Sequence, residues 1–317
     1  MRLTFIYLFF ISTVTYAQQI ERYYYSKADE WLNSKDSAKY YRDFVLQGDT
    51  IFRCTRYNLK GIRQEEGYTK KSGFLNYQGN YKTFYPNQVT ESEGTYDEGS
   101  RIGIWRYFYK NGSLKEQRQY ELLRNRRKDW SHEKYRLDVY QDSTGNVLVK
   151  EGNGTYVLYH PNGNVAEKGN YANGEKAGNW LGNYLNGQHW YEENYKNGVL
   201  SKGVSYDSLG RNYVYKQLKQ NAEFTGGDQA FYSFLNKNMR YPVEAQRQKI
   251  QGRVFMSFAI EANGNISNIK VLKSPSMLLS AEAIRVIGEM KGKWTPGKSR
   301  GQFEKTTYNI PLTFSLG

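Results

Sequence analysis

Three histidines, His132, His160 and His189, and one cysteine, Cys54, are the residues best suited to metal, nucleophilic or acid–base chemistry in this chain. Their spacing supports none of it. A zinc site or a Cys/His nucleophile needs ligands or a base at short, recognisable separations, and no histidine stands at such spacing to another or to Cys54. His160 sits in a Pro-Asn-Gly turn, at the place Lys110 fills in a related segment, which marks a surface residue. A single cysteine excludes an intramolecular disulfide and any Cys-based zinc site, and Cys54 reads as a small apolar side chain. Glu65-Glu66 and Glu192-Glu193 are sequence neighbours, so on strands they point to opposite faces and make no acid–base pair. Neither a nucleophile elbow nor a phosphate loop is present. The chain is expected to be non-enzymatic, with no cofactor and no metal.

Recognition chemistry is better supplied. The 317 residues include 30 Tyr and 30 Gly, far above ordinary usage, and carry a formal net charge of +14. Such a charge favours anionic partners: nucleic acid, lipid headgroups, acidic glycans or an acidic peptide. Flat Tyr and Trp faces can stack on sugars or cations. They can equally be the core of a repeat, and Trp105 and Trp180, which recur at one register, fit that reading. Tyr107 and Tyr191 lie off that register, and sequence alone leaves them unplaced. Arg124, Arg126, Arg127 and Lys128 cluster before Trp130, where the repeat register breaks. The preferred reading is a solvated insertion between repeats rather than an anion-binding loop.

The strongest binding argument lies in the last stretch. Residues 224–317 hold thirteen Lys or Arg against six Asp or Glu. Tyr308, Ile310, Leu312 and Phe314 alternate as a strand, and Pro311 stands inside it. Proline lacks the ladder donor, so this strand is expected at a sheet edge, where it can template an incoming strand. Both backbone polar groups of a strand residue point the same way, and the direction alternates along the chain. Lys305, Thr307 and Asn309 therefore share the open direction of Pro311 and are the candidate partner-binding residues. Thr306, Tyr308 and Ile310 bond inward.

Two kinds of element must hold these residues. The first is a repeat. Phe84-Tyr85-Pro86-Asn87 recurs as Phe108-Tyr109-Lys110-Asn111-Gly112, as Tyr159-His160-Pro161-Asn162-Gly163 and as Tyr184-Leu185-Asn186-Gly187, with looser copies at 140–145 and 206–210. The spacing is 24 positions from Phe84 to Phe108 and 25 from Tyr159 to Tyr184, a small repeat unit. Each unit reads as strand, Asn-Gly-type turn and strand, and a lone hairpin cannot bury its aromatic face, so stacked hairpins must share it. Over about 50–212 the pattern, built on Gly-x-Trp-x-x-Tyr and Tyr-x-x-Gly, resembles MORN-type repeats of the antitoxin-type variant. The resemblance implies an interaction or spacer module.

The second element is a compact α+β plan. Phe231, Phe234, Leu235 and Met239 give a helix, stopped at Tyr241-Pro242. A short helix follows through Ala245, then a strand at Val254, Met256, Phe258 and Ile260. Asn263-Gly264 turns into a returning strand from Ile266 to Leu272. Leu279, Ala283, Val286, Ile287 and Met290 form another helix stripe before the last strand. Through Tyr241-Pro242-x-x-Ala245, Ile250-x-Gly252-x-Val254, Asn263-Gly264-x-Ile266, Trp294-x-Pro296-Gly297 and Pro311-Leu312-x-Phe314, this third of the chain resembles the C-terminal domain of TonB-type energy transducers. The resemblance implies a periplasmic domain that pairs with a short peptide of an outer-membrane transporter and passes mechanical energy to it. Energy transducers proper join this domain to a membrane helix through a long Pro-rich spacer. With six prolines in all, this chain shows no such spacer and departs from that pattern.

The expected organisation is a signal peptide at 1–17, a polar segment with a short helix around Ala28 to Leu32 and a first strand within 18–49, repeats at 50–212, a linker at 213–223 and the final domain at 224–317. Arg2, the apolar run from Leu3 and Thr15-Tyr16-Ala17 mark a leader cut between Ala17 and Gln18. As an uncleaved anchor, Leu3 to Ala17 reaches only about 22 Å against roughly 30 Å of hydrocarbon. The fold class is thus an all-β array of antiparallel hairpins followed by an α+β TonB C-terminal domain. The expected location is the periplasm, inner-membrane anchoring being the alternative. The expected partner is a transporter peptide or another envelope protein, not nucleic acid and not a membrane after cleavage. The alternative is an envelope scaffold whose repeats bind proteins, glycans or lipid headgroups. Monomer and homodimer both stay open.

Overall fold

A computed structural model of the chain describes residues 19–27, 29, 31–32, 34–121 and 134–316. The expected leader with Ala17 and Gln18, the basic cluster Arg124 to Lys128 with Trp130, and His132 lie outside the described residues. Two compact units divide the chain. The first runs to Thr155 and adds Tyr171–Glu175; the second holds Tyr156–Asn170 and Lys176–Gly317. This division falls inside the repeats and not at 213–223.

The first unit is antiparallel throughout. It contains β1 (Ile20–Tyr25), β2 (Trp31–Leu32), β3 (Tyr40–Gln47), β4 (Ile51–Asn58), β5 (Arg63–Thr69), β6 (Tyr77–Phe84), β7 (Thr90–Asp97), β8 (Ser100–Phe108), β9 (Leu114–Tyr120), β10 (Tyr135–Gln141) and β11 (Val147–Lys150). From β3 to β11 each strand pairs with its sequence neighbours. The segment 18–49 therefore holds three strands rather than one. Trp31 and Leu32 pair with β1 instead of ending a helix. Aromatic pairs across the strands outweigh the polar composition here: Tyr25 stacks on Tyr40 at 5.1 Å, and Tyr23 meets Phe44 edge-on at 5.5 Å.

Strands β12 (Asn153–Tyr159) and β13 (Val165–Ala172) contribute to both units, and β14 (Glu175–Asn183), β15 (His189–Lys196), β16 (Val199–Tyr206) and β17 (Asn212–Tyr215) continue the hairpins. One turn recurs at 58–62, 85–89, 109–113, 142–146, 160–164, 184–188 and 207–211. Its first N–H donates to the fifth carbonyl, and its fourth N–H donates to the first. The fourth residue has positive φ, so it is glycine except at Gln88. The repeat also has a fixed contact. Trp105 and Trp180 are fully buried, and a Cβ added at Gly94 or Gly169 would stand inside the facing indole. Their indole N–H groups donate to equivalent carbonyls, Thr95 and Asn170, at 3.1 Å in each case.

The expected linker is itself structured, because β17 ends in it and β18 (Lys219–Gln220) and β19 (Glu223–Phe224) follow. The last domain then runs α1 (Gly227–Asn238), α2 (Val243–Arg247), β20 (Gly252–Ile260), β21 (Ile266–Lys273), α3 (Met277–Gly288), β22 (Trp294–Thr295), β23 (Gly297–Ser299), β24 (Gln302–Glu304) and β25 (Thr306–Phe314). Helices and main strands follow the expected order. The small strands around Trp294 were not foreseen: β22 pairs with β19, and β23 pairs with both β18 and β24. The core joins Val254, Met256, Phe258 and Ile260 of β20 to Leu279, Ala283, Val286 and Ile287 of α3. Ser276 caps α3, accepting from the Leu279 N–H at 3.3 Å.

Candidate functional site

The three-stranded sheet of the last domain has the order β21-β20-β25, so β25 is one of its edges. Its register against β20 runs unbroken from Gly252↔Phe314 to Ile260↔Thr306, with Pro311 opposite Phe255. No bulge interrupts the alternation between Pro311 and Thr307. Side chains 307, 309, 311 and 313 are exposed, while Leu312 and Phe314 enter the core. Lys305 precedes the strand by one residue, and its Nζ pairs with Glu261 Oε1 at 2.6 Å. Tyr308 fixes the strand from behind, its ring 5.0 Å from Trp294 and its hydroxyl donating to the Ala222 carbonyl.

The histidines and the cysteine take separate places. His160 occupies the first position of its turn, the place of Tyr109 and not of Lys110. Its Nε2 meets the Asn183 carbonyl at 3.0 Å, as the Tyr109 hydroxyl donates to Gln141 O at 2.7 Å. It is thus a half-buried structural residue rather than a surface one. His189 is exposed at the start of β15. Cys54 is fully buried, and burial pushes its thiol up to about 11, which keeps it protonated and unreactive. Among the described residues, no group of three or more His, Cys, Asp or Glu side chains could hold a metal ion.

What the residue pattern did not reveal is a set of charges inside the aromatic face. Glu65 turns inward while Glu66 is half-buried, and Glu193 turns inward while Glu192 is exposed. Arg42, 4% exposed, donates to Glu65 and, at 2.7 Å, to the Tyr77 hydroxyl. Burial opposes the Arg42 charge, but Glu65 outweighs it and holds the guanidinium above its usual value. Arg118 donates to Glu116 at 2.7 Å between the rings of Tyr107 and Tyr135. Lys176 pairs with Glu167 at 2.6 Å over Trp180, and the Tyr191 hydroxyl donates to the same carboxylate at 2.7 Å. Glu193 receives Tyr195, Tyr215 and Arg300. Tyr107 is half-buried and Tyr191 buried, so neither offers a free stacking face. The signal was the strand alternation itself, since Glu193 shares its face with Tyr191 and Tyr195.

Residues 237–316 match the family model of the Gram-negative bacterial TonB protein C-terminal. Residues 101–121 and 153–173 match that of the MORN repeat variant. A solution structure of the Helicobacter pylori TonB C-terminal domain is similar at 27% identity, covering 28% of this chain and 79% of that one, with a TM-score of 0.23. No curated protein matches the chain. The chain thus carries a domain similar to the TonB C-terminal domain behind repeats similar to the MORN variant.

Proposed function

We propose that this is a TonB-like envelope protein, exported to the periplasm, whose C-terminal domain pairs through β25 with an extended segment of an outer-membrane transporter or another envelope protein, supporting transport. The observation that carries this reading is the open side of β25, a nine-residue strand that, among the described residues, is paired on one side only, in unbroken register. Thr307 and Asn309 offer the outward hydrogen bonds, and Lys305 flanks the entry of the incoming strand. The net positive charge favours an acidic segment.

The test is a titration of the mature chain with labelled peptides copied from the N-terminal periplasmic segments of outer-membrane transporters. Thr307→Pro removes an outward donor and crowds the incoming strand, and is expected to weaken binding about tenfold or more while the fold stays intact. Tyr308→Pro removes an inward donor and is expected to damage the fold. Unchanged affinity in a folded Thr307→Pro variant overturns the reading.

One observation favours the scaffold alternative. A cavity of about 720 Å³ opens at the turn tips and is lined by Asn162, Tyr184, Leu185, Asn186, Gln188 and Gln302, among others. If the repeats are the binding surface, partner capture survives Thr307→Pro.

A further inference from the structure

Two hairpins of the repeats correspond in register and differ in how the buried charge beside the tryptophan is paired. Trp105 on β8 stands opposite Arg118 on β9, and Trp180 on β14 stands opposite Glu193 on β15. Two positions along, Tyr107 faces Glu116, and Gly182 faces Tyr191. In the first hairpin the buried charge finds its counter-ion two residues away on its own strand: Arg118 Nε donates to Glu116 at 2.7 Å. In the second, Tyr191 occupies the place of Glu116, so this local partner is missing. Yet Glu193 is 2% exposed, and a carboxylate so buried persists only when paired and hydrogen-bonded.

The pairing comes from 107 residues further along the chain. Arg300 Nε donates to Glu193 Oε1 at 2.8 Å. The Tyr215 hydroxyl reaches the same oxygen at 2.6 Å, and the Tyr195 hydroxyl reaches the other at 2.8 Å. The guanidinium lies 4.0 Å from the centre of the Tyr191 ring and 4.9 Å from that of Trp190. The turn that presents it is held as well. Arg300 N–H donates to Leu218 O at 2.8 Å, and Ser205 Oγ donates to Arg300 O at 2.7 Å. Gln302 Nε2 donates to Ser205 Oγ at 2.9 Å.

The backbone gives an independent sign that Arg300 was placed for its side chain. The turn between β23 and β24 has positive φ at both central residues, 47° at Arg300 and 79° at Gly301. Such turns favour Asn-Gly or Gly-Gly, because a left-handed conformation is strained for a long side chain. An arginine is held there against its backbone preference, and the acid of its own hairpin, Glu304, pairs with Lys219 while the guanidinium pairs with Glu193. Strain of this kind is tolerated where the side chain has a task.

We propose that the last hairpins of the array form an arginine socket, made by Glu193, Tyr191, Tyr195, Tyr215 and Ser205, whose ligand is the Arg300-Gly301-Gln302 turn of the C-terminal domain. The ligand class is a guanidinium on a tight β-turn. The C-terminal domain is therefore not tethered by a loose linker but seated on the repeats by recognition of one side chain, and an event at the domain is felt by the hairpins that grip it. This is independent of what β25 binds.

The test is hydrogen exchange on the full chain, read in two regions: the amides of 216–221 and 298–302, which report seating, and those of β20, which report the domain core. Arg300→Ala leaves Glu193 buried without its cation. It is expected to speed exchange of the seating amides about a hundredfold or more while β20 keeps its protection. Arg300→Lys keeps the charge but loses the planar donors, and is expected to fall between the two. Unchanged seating protection in Arg300→Ala overturns the proposal. If Arg300→Ala opens β20 as well, the exchanged pair Glu193→Arg with Arg300→Glu decides. Protection regained relative to either single variant sustains the socket, and protection lost in all three overturns it.

Discussion

In the repeats, Trp105 lies over Gly94 and Trp180 over Gly169, and each hairpin's aromatic face is completed by the next hairpin. In the C-terminal domain, Val254, Met256, Phe258 and Ile260 share one contiguous core with Leu279, Ala283, Val286, Ile287, Leu312 and Phe314. The first region is a chain of nearest-neighbour contacts, with charges such as Glu65 and Glu193 set between rings. The second is one apolar cluster shared by β20, α3 and β25, elements far apart in sequence. A defect in the first should therefore stay local, whereas a defect in the second should remove the whole domain.

The largest expected effect tests this directly. Phe258→Ala, in a fully buried site touching Trp294 and Tyr308, is expected to cost roughly 3–5 kcal/mol and to unfold the C-terminal domain in one step. Trp105→Ala is expected to cost a similar amount but to open β7 to β9 alone. Region-resolved hydrogen exchange distinguishes them, and a Trp105→Ala variant that lost protection evenly along the repeats would end the nearest-neighbour account.

Glycine substitutions should separate the regions by sign. Gly94→Ala and Gly169→Ala drive a methyl into an indole that has no room to retreat, at a cost of about 1–3 kcal/mol. Gly288 in α3 has open space where a Cβ would go and an ordinary φ. Gly288→Ala should therefore stabilise the domain by roughly 0.5–1 kcal/mol. Chemical denaturation of the three variants reads both signs.

How much of this was open to sequence reading follows from the range of each signal. The alternation of β20 and β25 and the stripe of α3 are local, period-driven patterns, and they gave those elements and their buried residues. The glycine turns were equally plain. The strands β18 and β22 to β24 span two or three residues each, too short to show any period. β1 and β2 were hidden because polar neighbours surround Tyr23 to Tyr25, whose partners lie on β3. Glu193 was legible as an inward residue but not as a paired one, since Arg300 has no signal in its own neighbourhood. His160 was matched to Lys110 although the aligned segments, Phe108 to Gly112 and Tyr159 to Gly163, set it beside Tyr109. The β25 edge was readable from Pro311, a residue whose missing donor constrains the sheet wherever it sits.

Acid titration should touch the domain at two carboxyls held below their ordinary value, Glu261 and Glu282, of which Glu282 is the more buried. Glu282 is 9% exposed. It accepts from the Arg240 N–H at 2.6 Å and from Arg285 Nε at 2.7 Å. Burial alone pushes its carboxyl up, but these donors outweigh burial and hold it below its ordinary value near 4.5. A carboxyl with a depressed folded value contributes stability above its ordinary value and loses it as pH falls through the depressed one. Glu282→Gln should thus cost about 1.5 kcal/mol at pH 7, and the gap to wild type should close in acid. A gap that stays constant from pH 7 to pH 3 would show that the carboxylate charge is not what joins α3 to the end of α1.

The smallest effect concerns the turn that the repeats share with the β20–β21 hairpin. Its fourth residue is left-handed at 61, 112, 145, 163, 187, 210 and, in the domain, 264, all glycine, with φ between 76° and 93°. Gln88 takes the same place at φ 66°, and its side chain donates to Arg63 O at 3.1 Å. Gln88→Gly relieves about 1 kcal/mol of left-handed strain. It also gives up a hydrogen bond of similar worth and frees the unfolded backbone. The net change is expected to lie within about 0.5 kcal/mol of zero. Gly112→Gln introduces the strain at a site with space for a side chain, Val89 being 3.7 Å from the new Cβ, and is expected to cost about 1 kcal/mol. Equal and opposite changes in the two variants would mean that the Gln88 side chain contributes nothing, and that the turn is governed by backbone conformation alone.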